Sequence, residues 1–110
     1  MDYQKFLKKL PELFNNWGDT SCHPKSDIFQ SISTKVNSMI SPNVMQLLNL
    51  AVSYLDENEI YCEIGTFQGA SLISALVNNP EKIAYAVDNF SEIDTEGENF
   101  DKLSINLENF

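Results

Sequence analysis

Apolar residues recur at three- and four-residue spacing through the first half of the chain, and the period then changes. Phe6, Leu7, Leu10, Leu13, Phe14 and Trp17 predict an amphipathic helix over residues 2–17, with Pro11 as a kink or the start of a second piece. Residues 18–25 hold Gly, Asp, Thr, Ser and Pro with no large apolar side chain, the pattern of a loop and a hinge. Ile28, Phe29, Ile32 and Val36 predict a short helix over 26–36. Ser41-Pro42 then marks a helix start, with serine as the cap and proline at the first helical position. Val44, Leu47, Leu48, Ala51, Val52 and Leu55 form its expected core face, and Asp56-Glu57-Asn58 ends it.

Beyond that point, 60–64 (Ile-Tyr-Cys-Glu-Ile) reads as a strand stopped by Gly65, and 70–77 as a helix with Leu72, Ile73, Leu76 and Val77 inward. Asn79-Pro80 is a turn, and 83–87 (Ile-Ala-Tyr-Ala-Val) is a second strand without alternation. Two continuous apolar strands separated by a helix predict a parallel pair buried on both faces. A last helix is expected over 98–109. The predicted organisation is a helical region over 1–58, followed over 59–110 by a β-α-β unit and a C-terminal helix.

Charge narrows the function. The chain carries 16 acids against 7 basic residues, all lysine, for a net charge of -9. A nucleic-acid binder needs a basic stripe to neutralise phosphates, so no nucleic-acid partner is expected. The lack of arginine removes the bidentate clamp for phosphate or carboxylate. The acids Glu92, Asp94, Glu96, Glu98 and Asp101 read as a solvated loop and helix start. At 110 residues, 43% hydrophobic and 21% charged, the composition is that of one globular domain. No run approaches the ~20 apolar residues of a membrane span. Residues 1–5 lack the basic and apolar regions of a secretory signal, so no membrane partner and a cytoplasmic location are expected. Cys62 falls in a strand predicted to be buried, as a small hydrophobe. Cys22-His23 has no second pair at ligand spacing, so no metal site is expected and His23 reads as a loop residue.

The informative stretch runs from Glu63 to Asp88. Gly65 allows the chain to bend after the strand and leaves room for a ligand against the main chain. Gly69 permits close helix-strand packing, and the following helix aims its free N–H groups at the turn. Asp88 ends the second strand, at the sheet edge where open α/β sheets bind ligands, and can accept hydrogen bonds from ribose hydroxyls. A dinucleotide fingerprint needs glycine two residues after Gly65, so that the backbone can approach a pyrophosphate, and Phe67 stands there. Phe67 and the lack of arginine argue against NAD or FAD. A nucleoside without phosphate that carries a sulfonium cation suits the acidic balance better.

Glu63-Ile64-Gly65-Thr66-Phe67-Gln68-Gly69-Ala70-Ser71 resembles motif I of class I S-adenosylmethionine-dependent methyltransferases. It is most similar to the version with a central aromatic residue found in catechol- and caffeoyl-CoA-type O-methyltransferases. Ala84-Tyr85-Ala86-Val87-Asp88 resembles the next motif, whose final acid holds the ribose. The resemblance covers 59–90 well and the leading helices loosely. It implies that Glu63 supports the methionine end of S-adenosyl-L-methionine, that Gly65, Thr66, Phe67 and Gly69 form the turn around it, and that Ser71 reaches the methionine carboxylate. It further implies that Asp88 holds the ribose, with Asn89 and Phe90 beside the adenine. Phe67 replaces the commoner middle glycine, and Ala70 stands where an aromatic often precedes the serine.

The expected fold is therefore α/β, a truncated Rossmann-like methyltransferase fold, because the family's sheet is larger than the two strands this sequence supplies. The expected function is that of the S-adenosylmethionine-binding N-terminal portion of a methyltransferase, incomplete for catalysis by itself and with no general base assigned. The alternative is a non-catalytic binding or assembly module, its open sheet edge completed by a homodimer or a partner chain.

Overall fold

A computed structural model describes residues 1–91 and 97–110. Glu92, Asp94 and Glu96 of the predicted acidic loop lie outside the described residues. The elements run α1 (Tyr3–Lys9), a 3-10 turn (Leu10–Leu13), β1 (Phe14–Asn15), β2 (His23–Pro24), α2 (Ile28–Lys35), α3 (Pro42–Ser53), β3 (Tyr61–Ile64), α4 (Ala70–Leu76), β4 (Ala84–Val87) and α5 (Asn99–Asn109). The chain is thus mixed α/β, with five α-helices among the described residues and two small sheets, β1-β2 antiparallel and β3-β4 parallel.

The core lies between helices. Phe29, Ile32 and Val36 from α2 and its end meet Met45 of α3 and Ala70 and Ile73 of α4. Ser41 caps α3 as expected: its hydroxyl accepts from Val44 N–H at 3.4 Å, with Pro42 in the first turn. The buried side of α3 carries Met45, Gln46, Leu50 and Val52, whereas Val44 and Leu47 are exposed. The apolar face predicted for this helix is therefore rotated. Its residues are apolar over more than half the circumference, and packing on α2 and α4 selects which of them are covered.

Amides lock α3 onto α4. The Asn49 side chain donates to the Ser74 and Val77 carbonyls at 2.8 and 2.7 Å, satisfying groups that the end of α4 leaves open. Asn79 returns a bond to the Asn49 carbonyl at 3.2 Å and holds the Ala75 carbonyl at 2.9 Å. Lys82 then donates to the Leu55 carbonyl at 2.7 Å, just ahead of β4. These bonds fix where the second strand begins relative to the first.

Three expectations need correction. The predicted helix over 2–17 stops at Lys9, because Pro11 supplies no N–H to an α ladder and the chain tightens into a 3-10 turn. Phe14 then enters β1 and is buried beside Trp17, their ring centroids 5.2 Å apart. The stretch expected to be all loop supplies β2, in register with β1 through Phe14↔Pro24 and Asn15↔His23. The parallel strands are also not buried on both faces, since among the described residues helices cover one side only. Ile64 is 87% exposed, and Cys62 is exposed rather than a buried hydrophobe.

Among the described residues no helix is long and apolar enough to cross a membrane.

Candidate functional site

Strands β3 and β4 pair in register, Tyr61↔Ala84 through Ile64↔Val87, so their carboxyl ends finish side by side. The ladder continues one step past β3, where Gly65 N–H donates to the Val87 carbonyl at 2.7 Å. Gly65 has φ +86°, which lets the chain leave the sheet there, and no atom stands within 4 Å of where a Cβ would be. The turn closes with Gly69 N–H donating to the Thr66 carbonyl at 2.9 Å, and α4 begins.

Asp88 holds this turn. Its Oδ2 accepts from Phe67 N–H and its Oδ1 from Phe90 N–H, both at 2.7 Å. Phe67 and Phe90 both adopt positive φ, +51° and +57°, which is costly for an aromatic residue and is offset here by the hydrogen bond each makes to the carboxylate. The Phe67 N–H bond first, and the Phe90 N–H bond second, lower the Asp88 pKa below the usual carboxylate value. Asp88 is therefore ionised at neutral pH.

Glu63 sits in a different environment. It is half-buried, and its carboxylate accepts from the Ser71 hydroxyl and, at 3.4 Å, from the Thr66 hydroxyl. Burial raises its pKa, and the two hydroxyl bonds offset part of that rise. Tyr61, on the same face of β3, has its phenol pushed up to about 12, by burial first and by the Glu63 charge second.

A cleft of about 500 Å³ opens at the strand tips, lined by Ile64, Gly65, Phe67, Val87, Asp88 and Asn89, with Met39 reaching in from the α2–α3 connection. A smaller hollow of about 100 Å³ lies across the turn, where Thr66 and Ser71 join Gly65 and Phe67, again beside Met39. The geometry thus brings Gly65, Phe67, Asp88 and Asn89 together on the main cleft, and Thr66 and Ser71 on the lesser one. Glu63 is not among the lining residues of either. Phe90 turns toward α5, edge-on to Phe100 with centroids 5.2 Å apart. Gly69 is buried under α5, and a Cβ there would meet Leu103 Cδ1 at 2.6 Å.

Sequence reasoning missed Met39 and the clamp on the turn. Met39 stands alone among the polar residues Asn37, Ser38 and Ser41, apart from Ile40, and an apolar residue exposed in such a loop was the available signal. The clamp is made by buried Gln68, whose side chain donates to Asn99 Oδ1 at 2.9 Å, while Asn106 donates to the Gln68 carbonyl at 2.8 Å. Cys22 and His23 lie far along the chain in the β1-β2 region, with the His23 ring held by the Ser21 carbonyl at 2.9 Å and Asn15 at 3.3 Å. Among the described residues no group of three His, Cys, Asp or Glu side chains is placed to hold a metal ion.

Asp88 is the charged residue lining the main cleft, beside the Asn89 amide, and the remaining walls are apolar side chains and the Gly65 backbone. Such a site attracts cations and hydroxyl donors and repels phosphate. Comparison with protein-family models, with curated proteins and with solved structures finds no match to this chain.

Proposed function

We propose that the cleft binds the adenosyl part of S-adenosyl-L-methionine, and that the chain is the cofactor-binding N-terminal portion of a class I methyltransferase with a Rossmann-like fold. The observation that carries this reading is the Asp88 carboxylate, fixed at the tip of β4 by the Phe67 and Phe90 N–H groups and open to the cleft. A carboxylate oxygen can accept more than one hydrogen bond, so Oδ1 and Oδ2, each bonded to one backbone N–H, can also accept from ribose hydroxyls in the cleft. The cleft volume, about 500 Å³, lies within the range of small-molecule sites. Its single negative charge suits a sulfonium compound and disfavours a pyrophosphate.

The residues fit the nucleoside end better than the methionine end. Gly65 and Phe67 present backbone and a ring to the cleft, and Asn89 adds an amide. Ser71 donates to Glu63, so binding a methionine carboxylate there requires its hydroxyl to turn outward. The cofactor, when bound, supplies an electrophilic methyl group. The chain's residues hold and orient it, and proximity supplies most of the rate in a reaction of this kind. No side chain lining the cleft is assigned as a general base.

Isothermal titration with S-adenosylhomocysteine tests the reading. Micromolar binding by the wild type is expected, and Asp88→Ala should weaken it by about 1–3 kcal/mol through loss of a charged acceptor. A folded sample that gives no heat, or one that binds NADH and not S-adenosylhomocysteine, rejects it. A second reading, a non-catalytic assembly module, draws on the uncovered side of β3 and β4 and predicts no binding of either nucleoside.

A further inference from the structure

Helix α5 contributes no lining residue to the cleft, yet one stripe of it grips the turn that shapes the cleft. Asn99, Leu103 and Asn106 follow one another at four- and three-residue spacing, which places them on a single helical face. Asn99 Oδ1 accepts from the Gln68 side chain at 2.9 Å, and the Asn106 side chain donates to the Gln68 carbonyl at 2.8 Å. Leu103 covers Gly69, the next residue of the turn. Gln68 and Asn99 are both buried, so breaking their bond leaves a polar group shielded from water without a partner.

The two backbone groups that hold Asp88 belong to Phe67 and Phe90, both at positive φ. Such a conformation persists in a non-glycine residue only where its surroundings over-determine it. Each of the two residues has an anchor on α5. To relax to negative φ, Phe67 must turn one of its flanking peptides, either the one whose N–H meets Asp88 or the one that leads into Gln68. Asp88 holds the first and α5 holds the second, through both the side chain and the carbonyl of Gln68. Phe90 is anchored by its ring, which meets Phe100 edge-on at 5.2 Å between centroids.

We propose that α5 positions the Asp88 carboxylate for the ligand, with Asn99, Asn106 and Phe100 as positioning residues that act through Phe67 and Phe90. Displacing α5 frees both strained residues and with them the carboxylate they fix. That the ligand is a hydroxyl-bearing nucleoside rests on the reading of the cleft given above. The fixing of Asp88 by α5 does not.

Amide hydrogen exchange of the full chain without ligand, followed by NMR, tests the positioning directly, with the amides of α3 reporting any global opening. Phe100 is 58% exposed, so Phe100→Ala should leave α3 unchanged while speeding exchange at Phe90 severalfold. Phe100→Tyr keeps the ring edge and should restore the wild-type rate. Asn99→Ala should speed exchange at Phe67, and Asn99→Asp, which keeps an acceptor for Gln68, should reverse that. Half-buried Asn106→Ala reads the same anchor should Asn99→Ala fail to fold. Unchanged exchange at Phe67 and Phe90, or a rise only in step with α3, overturns the proposal. Titration with S-adenosylhomocysteine reads the consequence: Phe100→Ala should bind severalfold more weakly, and Phe100→Tyr like the wild type. Equal affinity in all three, with Phe90 loosened, also overturns it. If the wild type itself gives no binding, the nucleoside reading fails, and the exchange rates still decide the role of α5.

Discussion

The helical layer and the parallel strand pair are held together in opposite ways. Between α2, α3 and α4 the side chains are closed off from water: Ile32 and Met45 are fully buried, and Val36 and Phe29 nearly so. In β3 and β4 no residue is buried at all. What fixes the strands is hydrogen bonding, through their own ladder, the Gly65 step beyond it and the Asp88 carboxylate on Phe67 N–H. Burial supplies most of the favourable free energy of folding, whereas each hydrogen bond adds a modest net amount. The existence of the fold therefore rests on the helices, and the candidate site rests on strand tips that contribute little to stability. Ile32→Ala tests the first half of that contrast. It should cost about 2–5 kcal/mol, read from the urea midpoint, because it opens a cavity where nothing can collapse inward cheaply. A loss under about 1 kcal/mol would show that the three-helix core is not the unit that holds the chain together.

Gly69 is where the two regions meet, and a smaller effect is expected there. Its φ of +94° is unfavourable for any side chain, and a Cβ would stand 2.6 Å from Leu103 Cδ1. Gly69→Ala should cost about 1–3 kcal/mol through backbone strain and displacement of α5. Adding Leu103→Ala separates the causes. The Leu103 end is a flexible side chain, so removing it should recover the steric part and leave the backbone part, a non-additive pair in a double-mutant cycle. Additive losses would show that α5 does not bear on the turn.

Much of the fold was legible because local rules set it. Ser41-Pro42 starts α3, Gly65 ends β3, and the β3-α4-β4 order follows from two apolar runs around a helical one. The approach of the Gly65 bend to Asp88 was legible too, since both stand at strand ends that a parallel pairing must bring together. Several features were not. Asn49, Asn79, Gln68, Asn99 and Asn106 join segments 25 to 38 residues apart through single amides, and no periodicity announces such a bond. The openness of the strands was misread because apolar strand residues look alike whether one face is covered or two. Ile64 and Cys62 follow the composition of a buried strand, and only the absence of a second layer among the described residues reveals otherwise. The first helix failed at Pro11, where 3-4 spacing continued through a residue that cannot extend an α ladder.

The smallest expected effect distinguishes the two carboxylates of the strand tips. Asp88 has a depressed pKa, so its contribution is present above the ordinary carboxylate value of 3.8 and is lost as pH falls through its lower folded value. Glu63 has a raised pKa because burial outweighs its hydroxyl partners. Its sign is reversed: the folded state takes up a proton more readily than the unfolded chain, so the contribution is present below 4.5 and declines as pH rises through the folded value. The two groups therefore tilt stability in opposite directions on either side of about pH 4. Asp88→Asn removes one tilt. It should lower stability at neutral pH by less than about 1 kcal/mol, because solvent screens this partly exposed group. It should also flatten the loss of stability below the ordinary carboxylate range while leaving the Glu63 slope above it. Urea midpoints measured across that range read both slopes. An unchanged acid limb in Asp88→Asn would mean that the bonds to Phe67 and Phe90 do not hold the turn.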